Sequence, residues 1–189
     1  VAIARGVAVQ DYEFQTFAAR IGEQRYRDGQ LDGYCSRLHY FSEWISANQE
    51  RGTVKQITQD LDGIKTSKLL NFMSSNRQTY SQMKSDDTFK CIVQMEQRLA
   101  DLEFIYIPHG KIKQAYSKMQ PGDIVAIATK IEGLDFTHTG LVYRNSDQSI
   151  GLIHASPSGT VKVSPELQTY VNQVKDRAGI VLVRPIDPR

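Results

Sequence analysis

The first hundred residues carry apolar side chains at a helical period. Apolar positions recur every three or four residues in four stretches, which predicts four amphipathic helices. These stretches cover residues 14–21, 38–48, 69–80 and 89–102. Glycine commonly ends a helix, so Asp28-Gly29 and Arg51-Gly52 are expected to end the first two. Residues 53–58, between the second and third helices, predict a short strand.

After residue 103 the pattern changes to short apolar and β-branched runs separated by turn signals, as is typical of β-strands. These runs cover residues 104–107, 124–128, 137–144, 149–155, 160–163 and 180–184. Two short helices are expected among them, one over 112–119 and one that begins at Ser164-Pro165, where a capping hydroxyl precedes a proline. Helices first and strands second predict an α+β fold, with N-terminal helices packed on a C-terminal antiparallel sheet.

Size and composition indicate one globular domain. The chain of 189 residues suits a single domain over 1–189, with a mainly helical part over 1–102 and a sheet over 103–189. Apolar residues make up 40% and charged residues 23%, which excludes wholesale disorder. A net charge of +2 gives no sign of a nucleic-acid-binding surface, and no apolar run approaches the ~18–20 residues that span a bilayer.

His138 and His154 lie on two predicted strands that a polar turn over 145–147 joins into a hairpin. A hairpin centred on Ser146 places the two histidines directly opposite each other on one face, with Cβ atoms roughly 4.5–5.5 Å apart. Such a pair can comprise a catalytic base and the group that holds its second ring nitrogen. The spacing also allows two half-buried histidines that bond to backbone carbonyls.

A metal site is an alternative use of the same side chains. His138 and His154, together with the carboxylate of Asp135, offer three ligands that zinc accepts. The chain contains neither a His-Glu-x-x-His nor a Cys-x-x-Cys motif, so the ligand inventory for zinc is weak.

The two cysteines permit at most one disulfide. Cys35 precedes His39 by four residues, a spacing that puts both on one face of a helix and would activate a thiolate. Alternatively, Cys35 packs as a small hydrophobic residue without chemistry. Cys91 lies on an apolar stripe and is expected to be a core residue.

The segment 34–40 concentrates polar and aromatic side chains at a predicted helix start. Its candidate binding residues are Tyr34, Ser36, Arg37, His39 and Tyr40. The guanidinium of Arg37 can bind a carboxylate through two parallel hydrogen bonds. The alternative is a structural role, in which Arg37 caps the helix or pairs with Asp32 or Glu43.

Several blocks of the sequence resemble one bacterial family. The blocks are Arg25-Tyr26-Arg27-Asp28-Gly29, Tyr34-Cys35-Ser36-Arg37-Leu38-His39-Tyr40-Phe41, Asn71-Phe72-Met73-Ser74, Gly122-Asp123-Ile124, Gly133-Leu134-Asp135-Phe136-Thr137-His138-Thr139-Gly140 and Leu152-Ile153-His154-Ala155-Ser156. The family is the N-acetylmuramoyl-L-alanine amidase-like branch of the NlpC/p60 cysteine hydrolases, and the similarity covers essentially the whole chain.

The resemblance implies a papain-like α+β core that cleaves the amide between N-acetylmuramic acid and L-alanine in peptidoglycan fragments. His138 matches the family's catalytic base and His154 the residue that orients it. The segment 34–40 and Asp135 are then expected to contact substrate, with Arg37 or His39 on a stem-peptide carboxylate. The resemblance implies no metal or organic cofactor, and it implies a periplasmic or extracellular bacterial protein, where such substrates occur.

The resemblance also implies where the nucleophile lies. The family's nucleophilic cysteine belongs to an Asp-Cys-x-Thr-Phe block just before the apolar helix that residues 1–5 resemble, so we expect a catalytic segment upstream of Val1. Cys35 stands elsewhere and is expected to be dispensable for catalysis. A domain that binds muropeptides without cleaving them, or a zinc-dependent amidase, remain the alternatives.

Overall fold

The computed structural model describes residues 22–156 and 158–186, so the helix predicted over 14–21 lies outside the described residues. The α-helices whose full extent lies among them are α1 (Phe41–Glu50), α2 (Phe72–Ser75), α3 (Asp86–Arg98) and α4 (Leu167–Gln173), and residues 22–25 are also helical. Short 3-10 segments cover Tyr34–Ser36, Thr58–Leu61, Arg77–Thr79, Ser81–Lys84 and His109–Lys118. The strands are β1 (Val54–Gln56), β2 (Ile64–Ser67), β3 (Glu103–Pro108), β4 (Ile124–Thr129), β5 (Phe136–Arg144), β6 (Ile150–Ala155), β7 (Val161–Ser164) and β8 (Arg177–Pro185).

The predicted helices are the least regular part of the fold. Helices α1 and α3 confirm the second and fourth predicted helices, whereas the stretch 69–80 forms only the single-turn α2 and a 3-10 turn. The helix predicted over 112–119 is also a 3-10 segment. Strand β2 was not predicted, because it is mostly exposed and has no apolar alternation.

The last helix begins later than its proline suggests. Glu166 is the N-cap of α4, and its side chain accepts the first free N–H groups of the helix, from Gln168 and Thr169. The hydroxyl of Ser164 instead accepts the backbone N–H of Leu152, at 3.1 Å. Ser164 is therefore the end of a strand and not the predicted helix cap.

The strands form one antiparallel sheet in the order β2-β3-β8-β4-β5-β6-β7, with β1 paired to β8. Strands β1 and β3 both pair with β8, at opposite ends of that strand. All pairings between the named strands are antiparallel. The structure is thus mixed α/β with an antiparallel sheet, as the order of helices and strands predicted.

Both faces of the sheet centre are covered, which explains why every residue of β4 is buried. On the face that α4 covers, termed the α4 face, the main apolar residues are Ile112, Val125, Ile127, Val142, Leu152, Leu167, Val171 and Ile180. On the opposite face, termed the α1 face, they are Phe41, Trp44, Ile45, Ala126, Phe136, Val181 and Val183. Burial of aliphatic and aromatic side chains on this scale is the main stabilising contribution to the fold.

A β-bulge in β5 decides which face His138 occupies. The register with β4 pairs Ile127 with His138 but Ala128 with Phe136, so Thr137 is an extra residue without a partner. Phe136 packs in the cluster on the α1 face, and His138 lies beside Ile127 on the α4 face. Two residues of one strand that are two apart would otherwise share a face.

The remaining helical residues form a third apolar cluster around α3. Its buried members are Tyr40, Leu70, Met73, Met83, Ile92, Met95 and Leu99. Within the described part of the chain, no helix combines the length and the apolar character that crossing a bilayer requires.

Candidate active site

The two imidazoles predicted to form a pair are in direct contact. Nε2 of His138 lies 2.9 Å from Nδ1 of His154, and the rings meet nearly edge to face, with centroids 5.0 Å apart. Residue pairs such as Leu141 with Ile153 show that β5 and β6 are shifted by two positions from the predicted register. A shift of two keeps each side chain on its face, so the prediction of a shared face is confirmed and the prediction of direct opposition is wrong.

The shifted register makes room for the histidine contact. Continued one step beyond Leu141 and Ile153, it places Gly140 opposite His154. A Cβ at Gly140 would come within 2.7 Å of the Ile153 carbonyl oxygen, so β6 approaches the strand too closely for any side chain there. His138 therefore reaches diagonally to His154 with no side chain between them.

Burial and the neighbouring imidazole both act on His138. Burial, and secondly the proximity of His154, lower the pKa of His138 below that of a free imidazole. His138 is then neutral at neutral pH, as a general base must be. Nδ1 of His138 makes no hydrogen bond to any described residue. His154, which is buried in the sheet with 8% of its surface exposed, contacts the other nitrogen of His138, Nε2.

Tyr170 of α4 is a neighbour of the pair that sequence reasoning missed. Its hydroxyl oxygen lies 3.4 Å from Nδ1 of His154, and its ring centroid lies 4.6 Å from that imidazole and 6.2 Å from His138. Tyr170 packs against the apolar cluster of the α4 face, and periodicity cannot show what a hydroxyl on such a face contacts.

Asp135 is held away from the histidines. It is 2% exposed, and its carboxylate accepts the backbone N–H of Ser42 at 2.8 Å, the Ser42 hydroxyl at 2.7 Å and the N–H of Phe136 at 2.8 Å. Burial raises the pKa of Asp135 against the opposing effect of these donors. It fastens the first turn of α1 to the start of β5, a structural position that does not fit the predicted substrate contact.

The structure does not assemble the zinc site considered from the sequence. The carboxylate of Asp135 is occupied by Ser42 and Phe136, while His138 and His154 bond to each other. Among residues 22–156 and 158–186, no group of three or more histidine, cysteine, aspartate or glutamate side chains is arranged to hold a metal ion.

Within the segment 34–40, the aromatic and imidazole groups have structural partners. Tyr40 is 2% exposed, and its hydroxyl donates to Oε1 of Glu96 at 2.7 Å and accepts the N–H of Met73 at 3.1 Å. Nε2 of His39 lies 2.9 Å from the carbonyl oxygen of Tyr34, and burial lowers the pKa of His39. Tyr40 is therefore a buried core residue rather than the predicted substrate contact.

The side chain of Ser36 is engaged in hydrogen bonds within its own turn. The hydroxyl of Ser36 donates to the carbonyl of Gly33 and accepts the N–H of Asp32, both at 2.9 Å, so it stabilises the turn. Glu43, a predicted partner of Arg37, instead bonds the guanidinium of Arg27 at 2.9 Å.

Arg37 is exposed, and its guanidinium forms no ion pair or hydrogen bond with any described residue. It is thus the member of the segment that is available to bind an anion. No hydrogen bond or ring contact between described residues joins this segment to His138 or His154.

Cys35 and Cys91 form a disulfide, with Cα atoms 6.2 Å apart, inside the usual range. It joins the 3-10 turn Tyr34–Ser36 to α3, across a separation of 56 residues. The thiolate–imidazole pair of Cys35 and His39 is therefore absent, because Cys35 lies in a turn, not on a continuous helix with His39, and its sulfur is bonded to Cys91.

An apolar groove of about 410 Å³ lies on the α1 face. Phe41 and Trp44, stacked with ring centroids 4.9 Å apart, form one wall. Residues 139–141 of β5 and 153–155 of β6, with His154 among them, form another wall. The imidazoles of His138 and His154 project on the opposite face, so this groove is not the cleft into which they point.

Comparison with known proteins gives a consistent set of similarities. The sequence profile of the AmiA-like family, described as N-acetylmuramoyl-L-alanine amidase-like, matches residues 2–180. Two crystal structures of a N-acetylmuramoyl-L-alanine amidase from Bacteroides uniformis ATCC 8492 are similar. One has a TM-score of 0.83 at 30% identity over 94% of this chain and 75% of that chain, and the other 0.82 at 29% over 95% and 76%.

A crystal structure described as a "putative xylanase" from Bacteroides fragilis gives a TM-score of 0.83 at 31% identity, over 97% of this chain and 81% of that chain. No curated protein matches the chain. The profile match includes both strands of the histidine pair and the segment 34–40.

Proposed function

Because the chain belongs to the N-acetylmuramoyl-L-alanine amidase-like family, we propose that it is a peptidoglycan amidase that hydrolyses the amide bond between N-acetylmuramic acid and L-alanine in muropeptides. The observation that carries this proposal is the 2.9 Å contact between Nε2 of His138 and Nδ1 of His154. It leaves Nδ1 of His138 free to exchange a proton with a nucleophile, as a base–orienter pair requires.

The proposed reaction uses a cysteine nucleophile on a papain-like NlpC/p60 core. Cys35 and Cys91 are bonded to each other, so the thiol is proposed to come from the segment expected upstream of Val1. Nδ1 of His138 takes the thiol proton, and the thiolate attacks the lactyl amide carbon. The His138 imidazolium then gives its proton to the departing L-alanine nitrogen, and a thioester remains.

The second half of the reaction reuses the same imidazole. His138 takes a proton from water, the hydroxide attacks the thioester carbon, and the carboxylic acid and the free thiol are released. His154 accepts the N–H on Nε2 of His138 throughout, so it stabilises the imidazolium and fixes its orientation. No metal or organic cofactor takes part.

Recognition of the stem peptide is assigned to the surface around the segment 34–40. A muropeptide carries the carboxylate of its D-glutamate residue, which a fixed cation can select. The exposed, unpaired guanidinium of Arg37 provides that cation among the described residues, with Tyr34 and His39 beside it. We place Tyr40 and Asp135 in the scaffold that supports this surface.

The disulfide supports a location outside the cytoplasm. Disulfides persist in oxidising compartments and are rare where thioredoxin and glutathione keep thiols reduced. A bond between Cys35 and Cys91 therefore suits a periplasmic or extracellular protein of a bacterium, where peptidoglycan fragments also occur.

The test uses the full-length gene product, including any residues upstream of Val1, and the purified muropeptide N-acetylmuramoyl-L-alanyl-D-isoglutamine. Release of the dipeptide is followed as a new α-amine and by mass. We expect His138→Ala to lower kcat by about 10²–10⁴-fold, the usual contribution of a general base. His109→Ala is the matched control, since the only side-chain hydrogen bond of His109 among described residues is to Asn172, away from the histidine pair.

Each alternative function gives a different result in the same assay. Binding of the muropeptide without release of the dipeptide would show a binding domain and refute the amidase. Activity that a chelator abolishes and zinc restores would refute cysteine catalysis. Equal activities of His138→Ala and the wild type would remove His138 from the mechanism.

A further inference from the structure

Tyr170 contacts the histidine pair but has no part in the mechanism above. Its hydroxyl oxygen lies 3.4 Å from Nδ1 of His154, the same atom that Nε2 of His138 approaches to 2.9 Å. We infer that Tyr170 is a positioning residue that selects the tautomer of His154 and thereby keeps His138 competent as a base. This inference rests on the proposed function and names a further residue for it.

The tautomer of His154 matters because only one of the two nitrogens in contact, Nε2 of His138 or Nδ1 of His154, carries the hydrogen between them. A neutral imidazole carries its hydrogen on only one nitrogen. If Nδ1 of His154 carries it, Nε2 of His138 must accept, and the hydrogen of His138 then occupies Nδ1, the atom required to take the thiol proton. If Nδ1 of His154 is bare, Nε2–H of His138 donates to it and Nδ1 of His138 is free. Only the second arrangement permits catalysis.

The surroundings of Tyr170 favour the productive arrangement. A phenol hydroxyl is a better donor than acceptor, because its oxygen lone pair is delocalised into the ring. Burial raises the pKa of Tyr170, so the O–H group persists at working pH. A donor directed at Nδ1 of His154 stabilises the form in which that nitrogen is bare.

The position of Tyr170 is fixed by the helix that carries it. Leu167 and Val171, its neighbours on α4, are fully buried on the α4 face. The Tyr170 ring packs against the same cluster and is tilted by 46° against the His154 imidazole. The helix therefore holds the hydroxyl at the pair without support from a hydrogen bond to another described side chain.

The experiment compares Tyr170→Phe with the wild type in the full-length protein. The variant keeps the packed ring and removes only the hydroxyl. Nitrogen-15 spectra of the histidine side chains, with His154 assigned by His154→Gln, report which nitrogen carries the hydrogen. We expect a bare Nδ1 in the wild type and a mixture of tautomers in Tyr170→Phe, with kcat/KM lower by about two- to tenfold, the effect of one ordinary hydrogen bond.

Tyr143→Phe is the matched control, because Tyr143 is an exposed tyrosine of β5. It should change neither the tautomer nor kcat/KM. An unchanged His154 tautomer in Tyr170→Phe overturns the inference, and so does a changed tautomer with kcat/KM within twofold of the wild type. The spectra need no turnover, so failure of the proposed amidase activity is recognised separately from failure of the Tyr170 contact.

Discussion

Removal of the disulfide distinguishes a structural cysteine pair from a catalytic cysteine. The variants are Cys35→Ala, Cys91→Ala and the double variant, all in the full-length protein. The bond closes a loop across a separation of 56 residues. The chain-entropy relation for a loop of this length predicts a loss of about 4 kcal/mol in the free energy of unfolding. For a chain of this size, that loss corresponds to a Tm lower by roughly 8–16 °C.

The three variants should lose stability to the same extent, because removing either partner breaks the same bond. Urea denaturation followed by tryptophan fluorescence gives the free energy of unfolding, and a reductant added to the wild type should reproduce the loss. Activity is measured well below the lowered Tm. There we expect kcat/KM within about twofold of the wild type in all three variants, since neither sulfur is available as a nucleophile.

The two cysteines serve as controls for each other. A loss of ~10³-fold or more in kcat for Cys35→Ala, with normal activity in Cys91→Ala, would identify Cys35 as the nucleophile and refute the mechanism. Equal stabilities of the double variant and the wild type would refute the stabilising role of the bond.

Two further predictions concern charge. Arg37→Lys should lower kcat/KM on a muropeptide more than twofold, because an ammonium cannot reproduce the bidentate geometry of a guanidinium. A smaller change, which corresponds to less than ~0.5 kcal/mol of transition-state binding, would assign Arg37 to the scaffold. The pKa of His138 is depressed in the folded state, so the unfolded chain binds more protons below pH about 6.5 and the folded state loses stability as the pH falls. His138→Gln should therefore lose less stability than the wild type between pH 7.5 and 5.5 in urea denaturation, and equal losses would contradict the depressed pKa.

The hairpin shows how far the sequence determines the site. The alternation of side chains along β5 and β6 correctly predicts that His138 and His154 share a face. A shift of two residues in the pairing of the strands leaves every side chain on its original face. The turn is longer than the predicted one over 145–147: the N–H of Asn145 donates to the carbonyl of Ser149, and Gln148 adopts a left-handed conformation with φ of 68°. A glycine would have signalled that conformation, whereas glutamine gives no such signal.

Contacts between distant elements were the part that the sequence could not supply. Two contacts depend on how α3 packs against the rest of the chain, which no local spacing encodes. They are the disulfide between Cys35 and Cys91 and the hydrogen bond from the buried Tyr40 hydroxyl to Glu96. Asp135 fits a binding residue by type, yet its partner Ser42 lies 93 positions away in the chain. Residue type and periodicity thus identified the imidazoles, and tertiary packing decided the roles of their predicted neighbours.

The extra residue in β5 divides the strand into two stretches that can evolve separately. Phe136 can be exchanged for another large apolar residue to suit the α1 face without turning the imidazole of His138. A deletion of Thr137 would make Phe136 and His138 adjacent, and adjacent residues of a regular strand face opposite sides, so both side chains would keep their present faces. Closure of the bulge with Thr137 retained would instead bring Phe136 and His138 onto the same face. The histidine pair therefore requires either the two-residue spacing combined with a bulge or a one-residue spacing in a regular strand.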